Sequence, residues 1–308
     1  MITTVTLNPA VDKTYTAEEL IPGQVNRMET VVKLAGGKGI NVAKALRCYE
    51  QPVRAMGFLG GYSGRLIEDY AEKIKVCCAF THISGETRSS MNILDQNGYV
   101  TEILEPGPHI SKKELQSFLG EYENVLDDSE LIILSGSVPG GVPEDIYGTL
   151  IEIAKKKQKR VVLDSSGIYM REGVRKLPFM IKPNWKELEA LMGRKVKDRE
   201  DAIGAALHLH SQGIEHVFVS MGEKGLIYVC RNEVYYARPP FVWTVNTVGC
   251  GDSVVAAFAM SIMAGDGPED TIRKATAVSA ANATTPESGI VPVNTAEKLL
   301  SEIEVIRY

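Results

Sequence analysis

Several things are scarce in this 308-residue chain, and each scarcity removes a class of function. The five cysteines are odd in number, include the neighbours Cys77 and Cys78, and show no C-x-x-C spacing. Neither a disulfide framework nor a structural zinc site is therefore expected. A formal net charge of -5 supplies no positive field for nucleic acid or an anionic membrane surface. No apolar run is long enough to span a bilayer, and the start MITTVTLNPAVDKTY lacks the basic-then-apolar order of a secretory leader. Small molecules are the expected partners and the cytoplasm the expected location. Three common signatures are also missing. Lys38 in AGGKGIN is followed by glycine and lacks the upstream glycine of a Walker loop; no glycine pair completes G-x-G-x-x-G; no serine sits in G-x-S-x-G.

What is present is an alternation. The apolar runs ITTVTL, VRAMGFLG, LIILSGS, RVVLDSS, FMIKPN and HVFVSMG are separated by amphipathic stretches such as 143–157. That order predicts an α/β fold whose mostly parallel sheet is covered by helices on both faces. Two segments, about 12–34 and 88–105, break the pattern. The first is polar and β-leaning; in the second, Ser90–Leu104 reads as a hairpin with Asn97-Gly98 near its turn. Together they predict a small β-sheet projecting from the core as a lid.

Chemistry concentrates in TVGCGD, Thr247–Asp252. Gly249 and Gly251 let the backbone turn sharply and aim successive N–H groups at one point, and the helix that follows adds its positive end. An acid in a first helical turn is often no more than a stabilising charge. Here the helix SVVAAFAMSIMA is apolar nearly all round, so its start opens into an interior cleft. Beside an anion site, Asp252 suits a base that draws the proton from an attacking hydroxyl in phosphoryl transfer. A second segment, LAGGKGINVAKAL, sets Gly36, Gly37 and Gly39 around Lys38, with Asn41 at the start of an amphipathic helix. Asn184 and Glu187 stand three apart, a spacing that suits either a magnesium ion held through water or a helix cap with a first-turn acid.

Six motifs in order, NPAVD, GGKGIN, SGSVPGG, KPNWKE, SMGEKG and TVGCGD, resemble those of the ribokinase-like PfkB family of carbohydrate kinases over nearly the whole chain. The resemblance implies one ribokinase-like domain over 1–308, with a three-layer α/β/α core and the small lid sheet. It also implies ATP-dependent, magnesium-assisted phosphorylation of a ketohexose monophosphate. Asp252 would be the base, and the backbone of Gly249, Cys250 and Gly251 the anion hole. Asp12, Gly37, Lys38, Asn41 and Ser137 would line the sugar site. Arg88, whose guanidinium fork suits a phosphate, would hold the sugar phosphate, with Arg27 as a second candidate. Lys182, Asn184, Ser220, Gly222, Gly225 and Asn282 would face the nucleotide, and Glu187 and Asn184 the magnesium through water. Fructose 1-phosphate, giving fructose 1,6-bisphosphate, is the first expected substrate. Tagatose 6-phosphate is the alternative, and a catalytically silent sugar-phosphate sensor is the alternative from another class. Asn246 stands where potassium-binding relatives carry aspartate, which counts against a monovalent cation. The exposed lid edge predicts a homodimer paired through the lid.

Overall fold

The computed structural model describes residues 1–96 and 100–308, so the Asn97-Gly98 pair expected at the hairpin turn lies outside the described residues. The chain begins with β1 (Ile2–Thr6), β2 (Ala10–Ala17), β3 (Thr30–Gly36), α1 (Lys38–Cys48), β4 (Val53–Gly60), α2 (Gly61–Lys73) and β5 (Cys77–Ile83). It continues through β6 (Arg88–Asp95), β7 (Val100–Leu104), α3 (Lys112–Val125), β8 (Leu131–Ser135), α4 (Ile146–Lys156), β9 (Arg160–Asp164) and α5 (Gly167–Val174). Next come β10 (Met180–Ile181), α6 (Trp185–Met192), α7 (Arg199–Ser211), β11 (His216–Ser220), β12 (Leu226–Cys230) and β13 (Glu233–Ala237). The last elements are α8 (Cys250–Ala264), α9 (Pro268–Asn282), α10 (Val293–Leu300) and β14 (Val305–Arg307).

The large sheet has the order β14-β13-β12-β11-β10-β9-β8-β1-β4-β5. Every pairing from β5 to β11 is parallel, and β12 to β14 continue it antiparallel. Successive residues of β8 show why its sequence must be apolar throughout. Leu131 and Ile133 pack into one layer, with α1, α2, α8, α9 and α10; Ile132 and Leu134 pack into the other, with α3 to α7. A strand covered on both faces has no side to spare for polar residues. The longest buried stretch of any helix is in α8, where every residue from Asp252 to Ser261 is buried. Among the described residues no helix is long and apolar enough to cross a membrane.

The second sheet has the order β3-β2-β6-β7. Its centre, β2, runs antiparallel to β3 and parallel to β6, with Asp12 opposite Leu34 and Ser90. It begins at Ala10, two residues before the expected boundary, because only Leu7–Pro9 separate it from β1. Strand order turns around at β1, which has β4 on one side and β8 on the other. Such a switch point opens a crevice at the carboxyl ends of the strands, and the small sheet stands at that end.

The β1–β4 ladder pairs Thr6 with Gly57, where an added Cβ would collide with the Thr6 carbonyl oxygen. Gly57→Ala is expected to cost about 3 kcal/mol and to lower the thermal midpoint accordingly. An unchanged midpoint would show that β1 and β4 can separate at this rung without loss.

Candidate active site

Five neighbouring strands each deliver a polar group to the crevice: Asn8 after β1, Ser137 after β8, Asp164 ending β9, Lys182 after β10 and Ser220 ending β11. Against these ends lies the first turn of α8. Gly249 adopts the left-handed conformation at φ 87°, and a Cβ there would stand 2.6 Å from the Gly289 nitrogen, so only glycine fits. Among the described residues the N–H groups of Gly249, Gly251 and Asp252 have no acceptor. Cys250 differs from expectation. Its N–H donates to the Thr247 carbonyl at 3.3 Å, which commits it to the turn rather than to a bound anion.

Asn282 also departs from its expected role. It is fully buried, and its Oδ1 accepts from Ser253 Oγ (3.2 Å) and Gly289 N (3.0 Å). Its Nδ2 donates to the Val248 carbonyl (3.0 Å) and to Cys250 Sγ (3.5 Å). With both amide atoms spent, it clamps the glycine turn and has nothing left for a nucleotide.

The base candidate is well formed. Asp252 is 5% exposed, and its Oδ2 accepts from Asn41 Nδ2 at 2.9 Å. Burial pushes its pKa up to about 6; Asp164 adds to the rise, while Lys38, the Asn41 bond and Lys182 oppose it. That value suits a group that must be ionised near neutrality and still accept a proton. The opposing cations share one counterion. Asp164 is wholly buried, with Lys38 Nζ 3.0 Å from Oδ1 and Lys182 Nζ 3.5 Å from Oδ2. Burial raises the Asp164 pKa, but the two lysines outweigh it and hold the carboxyl below its usual value. Burial likewise depresses Lys38, yet Asp164, Asp252 and Glu187 together hold its ammonium above the ordinary lysine range. Lys182 lies against the glycine turn: a Cβ on Gly251 would meet its Nζ at 3.0 Å.

At the lid side, the Asp12 carboxylate packs onto Gly36, where any Cβ would overlap it. Arg88, opposite Ala10 in the β2–β6 register, donates from Nε to the Asn8 carbonyl (3.2 Å) and from Nη1 to the Glu105 carbonyl (3.1 Å). Asn8, overlooked in the sequence, donates from Nδ2 to the Pro106 carbonyl and to Ser137 Oγ, both at 3.2 Å. Gly37 connects β3 to α1 and so sets Lys38 at the helix start. Arg27 is not gathered in: it lies exposed on the connection from β2 to β3, with no bonded partner among the described residues. A helixless run of charged and apolar residues there has no packing to fix it on the crevice.

Residues 5–296 match the pfkB family carbohydrate kinases. The chain belongs to this family. As a carbohydrate kinase of the pfkB family it takes its phosphoryl group from ATP. It is 36% identical over 307 residues to 1-phosphofructokinase of Bacillus subtilis (strain 168), covering 100% of both chains. Among solved structures, phosphofructokinase-2 from Escherichia coli in complex with substrates and products is similar at a TM-score of 0.91, with 26% identity and 98% of each chain covered. The tetrameric inhibited form of the same enzyme gives 0.90, at 27% identity and the same coverage.

In this pfkB kinase the Asn184–Glu187 pair forms a capping box at the start of α6. Asn184 Oδ1 accepts from Glu187 N (2.9 Å), and Glu187 Oε2 accepts from Asn184 N (2.8 Å). The cap uses one acceptor position of Asn184 Oδ1 and leaves its Nδ2 unbonded among the described residues. Glu187 keeps Oε1 unbonded among the described residues, and its charge acts on Lys38, which places it at the same chamber. No group of three or more His, Cys, Asp or Glu among the described residues is placed to hold a metal. Magnesium does not need one, since it binds through one or two carboxylates, water and substrate phosphates. Glu187 Oε1 is a hard oxygen donor that fits it, and Asp164 Oδ2, beside Lys182 Nζ at 3.5 Å, is a second. Beside them, Ser220 N–H donates to the Pro183 carbonyl (3.1 Å), and Gly222 and Gly225 shape the tight turn after β11. Asn246 spends its amide locally, donating to the Pro286 carbonyl and accepting from Val248 N, each at 2.9 Å.

The raised Asp252 pKa has a signed consequence for stability. The folded chain binds this proton more tightly than the unfolded one, so the stabilisation is complete below about pH 3.8 and is lost as pH rises through about 6. Asp252→Asn, which can keep the Asn41 bond, is expected to melt higher than the native chain at pH 8, by up to about 3 kcal/mol. The gap should close towards pH 4. Equal midpoints at both pH values would show that the carboxylate is not desolvated.

Proposed function

We propose that this chain is a 1-phosphofructokinase, transferring the γ-phosphoryl group of ATP to the 6-hydroxyl of fructose 1-phosphate. The reading is carried by one observation: a buried carboxylate with pKa about 6, aimed by Asn41, beside the free N–H groups of Gly249 and Gly251. The full-length relative of Bacillus subtilis supports fructose 1-phosphate over tagatose 6-phosphate as the sugar phosphate.

In this reading Arg88 holds the 1-phosphate, Asp12 accepts from sugar hydroxyls, and the 6-hydroxyl points at Asp252. The Asp252 carboxylate takes the hydroxyl proton while the oxygen–phosphorus bond forms. The bond from the γ-phosphorus to the bridging oxygen breaks, and ADP leaves with that electron pair. The N–H groups of Gly249 and Gly251, with Lys182 and Lys38, meet the charge on the moving group. Magnesium held by Glu187 and Asp164 would neutralise phosphate charge. Asn184, Ser220 and the Gly222–Gly225 turn receive the nucleotide. The whole chain works as one domain, with the segments at about 12–34 and 88–105 closing over the sugar and excluding water.

The lid also suggests a second copy of the chain. Cross-strand partners share a face, so Val32 and Leu104 lie on the Asp12 face of the small sheet, 47% and 61% exposed. Pairing two lids would cover them. Sedimentation velocity is expected to show a dimer; a monomer throughout would overturn this assignment.

Purified protein with Mg-ATP is expected to release ADP with fructose 1-phosphate at a higher kcat/KM than with fructose 6-phosphate or tagatose 6-phosphate. Turnover should fall as pH drops through about 6, where Asp252 gains its proton. Asp252→Asn should lose about 10²- to 10⁴-fold in kcat while still binding ATP. Tight sugar-phosphate binding without turnover of any of the three would favour the sensor instead.

A further inference from the structure

Lys44 has no part in the mechanism above, yet it is buried more completely than almost any charged group in the molecule. It sits on α1 at 1% exposure, a rare place for a lysine. Its Nζ donates to the Ala35 carbonyl at 3.0 Å and lies 5.9 Å from the centre of the Tyr70 ring on α2. One hydrogen bond and one cation–π contact are small compensation for an ammonium taken out of water. The rest must come from opposite charge.

The groups that face it are Asp12 on β2, Glu287 after α9, Asp252 on α8 and Cys48 on its own helix. Even so, burial wins and brings the Lys44 pKa down to about 8. Asp12 shows the reciprocal effect. Burial raises its pKa, Lys44 is the strongest influence pulling it back, Arg88 follows, and Glu102 works against them. Geometry brings the pair to one peptide unit. The ammonium is bonded to the Ala35 carbonyl oxygen, and the Asp12 carboxylate packs onto the next α-carbon, that of Gly36.

We propose that Lys44 is a positioning residue for the sugar: from within the core its charge holds the Asp12 carboxylate in its seat on Gly36, so that the lid presents a preformed acceptor to the sugar hydroxyls. This rests on the reading of Asp12 as a sugar ligand. Lys44 is charged below about pH 8 and neutral above it, so the Asp12 seat loosens and sugar affinity weakens as pH rises through that value, while Asp252, which answers chiefly to its burial, Lys38, Asp164, Asn41 and Lys182, keeps the phosphoryl-transfer step nearly unchanged.

The test follows KM for fructose 1-phosphate at saturating Mg-ATP between neutral and alkaline pH. The native enzyme should show KM rising above about pH 8 with kcat nearly flat. Lys44→Met should raise KM about tenfold at pH 7 and abolish the further alkaline rise. Lys44→Arg, whose guanidinium stays protonated, should keep the low KM and also lose the alkaline rise. Melting midpoints of both variants check that the fold survives. A readout independent of substrate is the carboxyl ¹³C titration of Asp12, which should move to higher pH in Lys44→Met. Lys44→Met with native KM, native pH profile and an unmoved Asp12 titration overturns the proposal. Native enzyme that turns over no sugar phosphate sinks the functional reading instead, and the Asp12 titration then decides the role of Lys44 alone.

Discussion

Desolvation of Asp252, held in check by Lys38 and Lys182, is the balance on which the rest of the site depends. A carboxylate left alone in that interior would keep its proton well above neutrality and be useless as a base. Two free lysines would tie it down as an ion pair and make it too weak a base. Asp164 settles the contest by taking most of both cations for itself, at 3.0 Å from one and 3.5 Å from the other. What remains acts on Asp252 from a greater distance and leaves it near 6. The two lysines face three carboxylates, Asp164, Asp252 and Glu187, so the phosphate end carries one net negative charge before any nucleotide arrives. A polyphosphate entering there would be repelled unless a divalent cation came with it, which gives the magnesium of the proposed reaction an electrostatic cause.

The scaffold is arranged to make that balance reproducible. Five strand ends are fixed by the ladder of a sheet buried on both faces, so their side chains inherit the rigidity of the core. The glycine turn is fixed differently, by the Asn282 side chain, which gathers Val248, Cys250, Ser253 and Gly289 into one knot. That knot keeps the Gly249 and Gly251 donors oriented before any charge develops, which is the condition for electrostatic catalysis.

Much of this was legible in the sequence, and the exceptions have a common cause. The parallel strands announced themselves because a doubly covered strand reads as an unbroken apolar run. The TVGCGD and GGKGIN segments were legible because their glycines, cation and acid are neighbours in sequence. Asp164, Asn8 and Lys44 were not, because their partners are distant. Lys38 and Asp164 are 126 residues apart, and Asn8 and Ser137 are 129. Lys44 on an amphipathic helix looks like any surface lysine until the lid sheet covers it. Asp164, which ends the apolar run RVVL, was a usable clue, since Lys182 stands level with it on the neighbouring strand and Ser137 lies just beyond the end of β8. The errors ran the other way. Asn282 and the Cys250 N–H looked available for ligands, but hydrogen bonds within the glycine turn had already claimed them.

One connection links these parts. Between the end of β3 and the start of α1 there is a single residue, Gly37, and α1 carries both Lys38 and Asn41 in its first turn. Any swing of the small sheet is therefore felt at once by the amide that aims Asp252. In the proposed closure over the sugar, lid and catalyst would therefore travel as one piece, with the Asn41–Asp252 bond carried along.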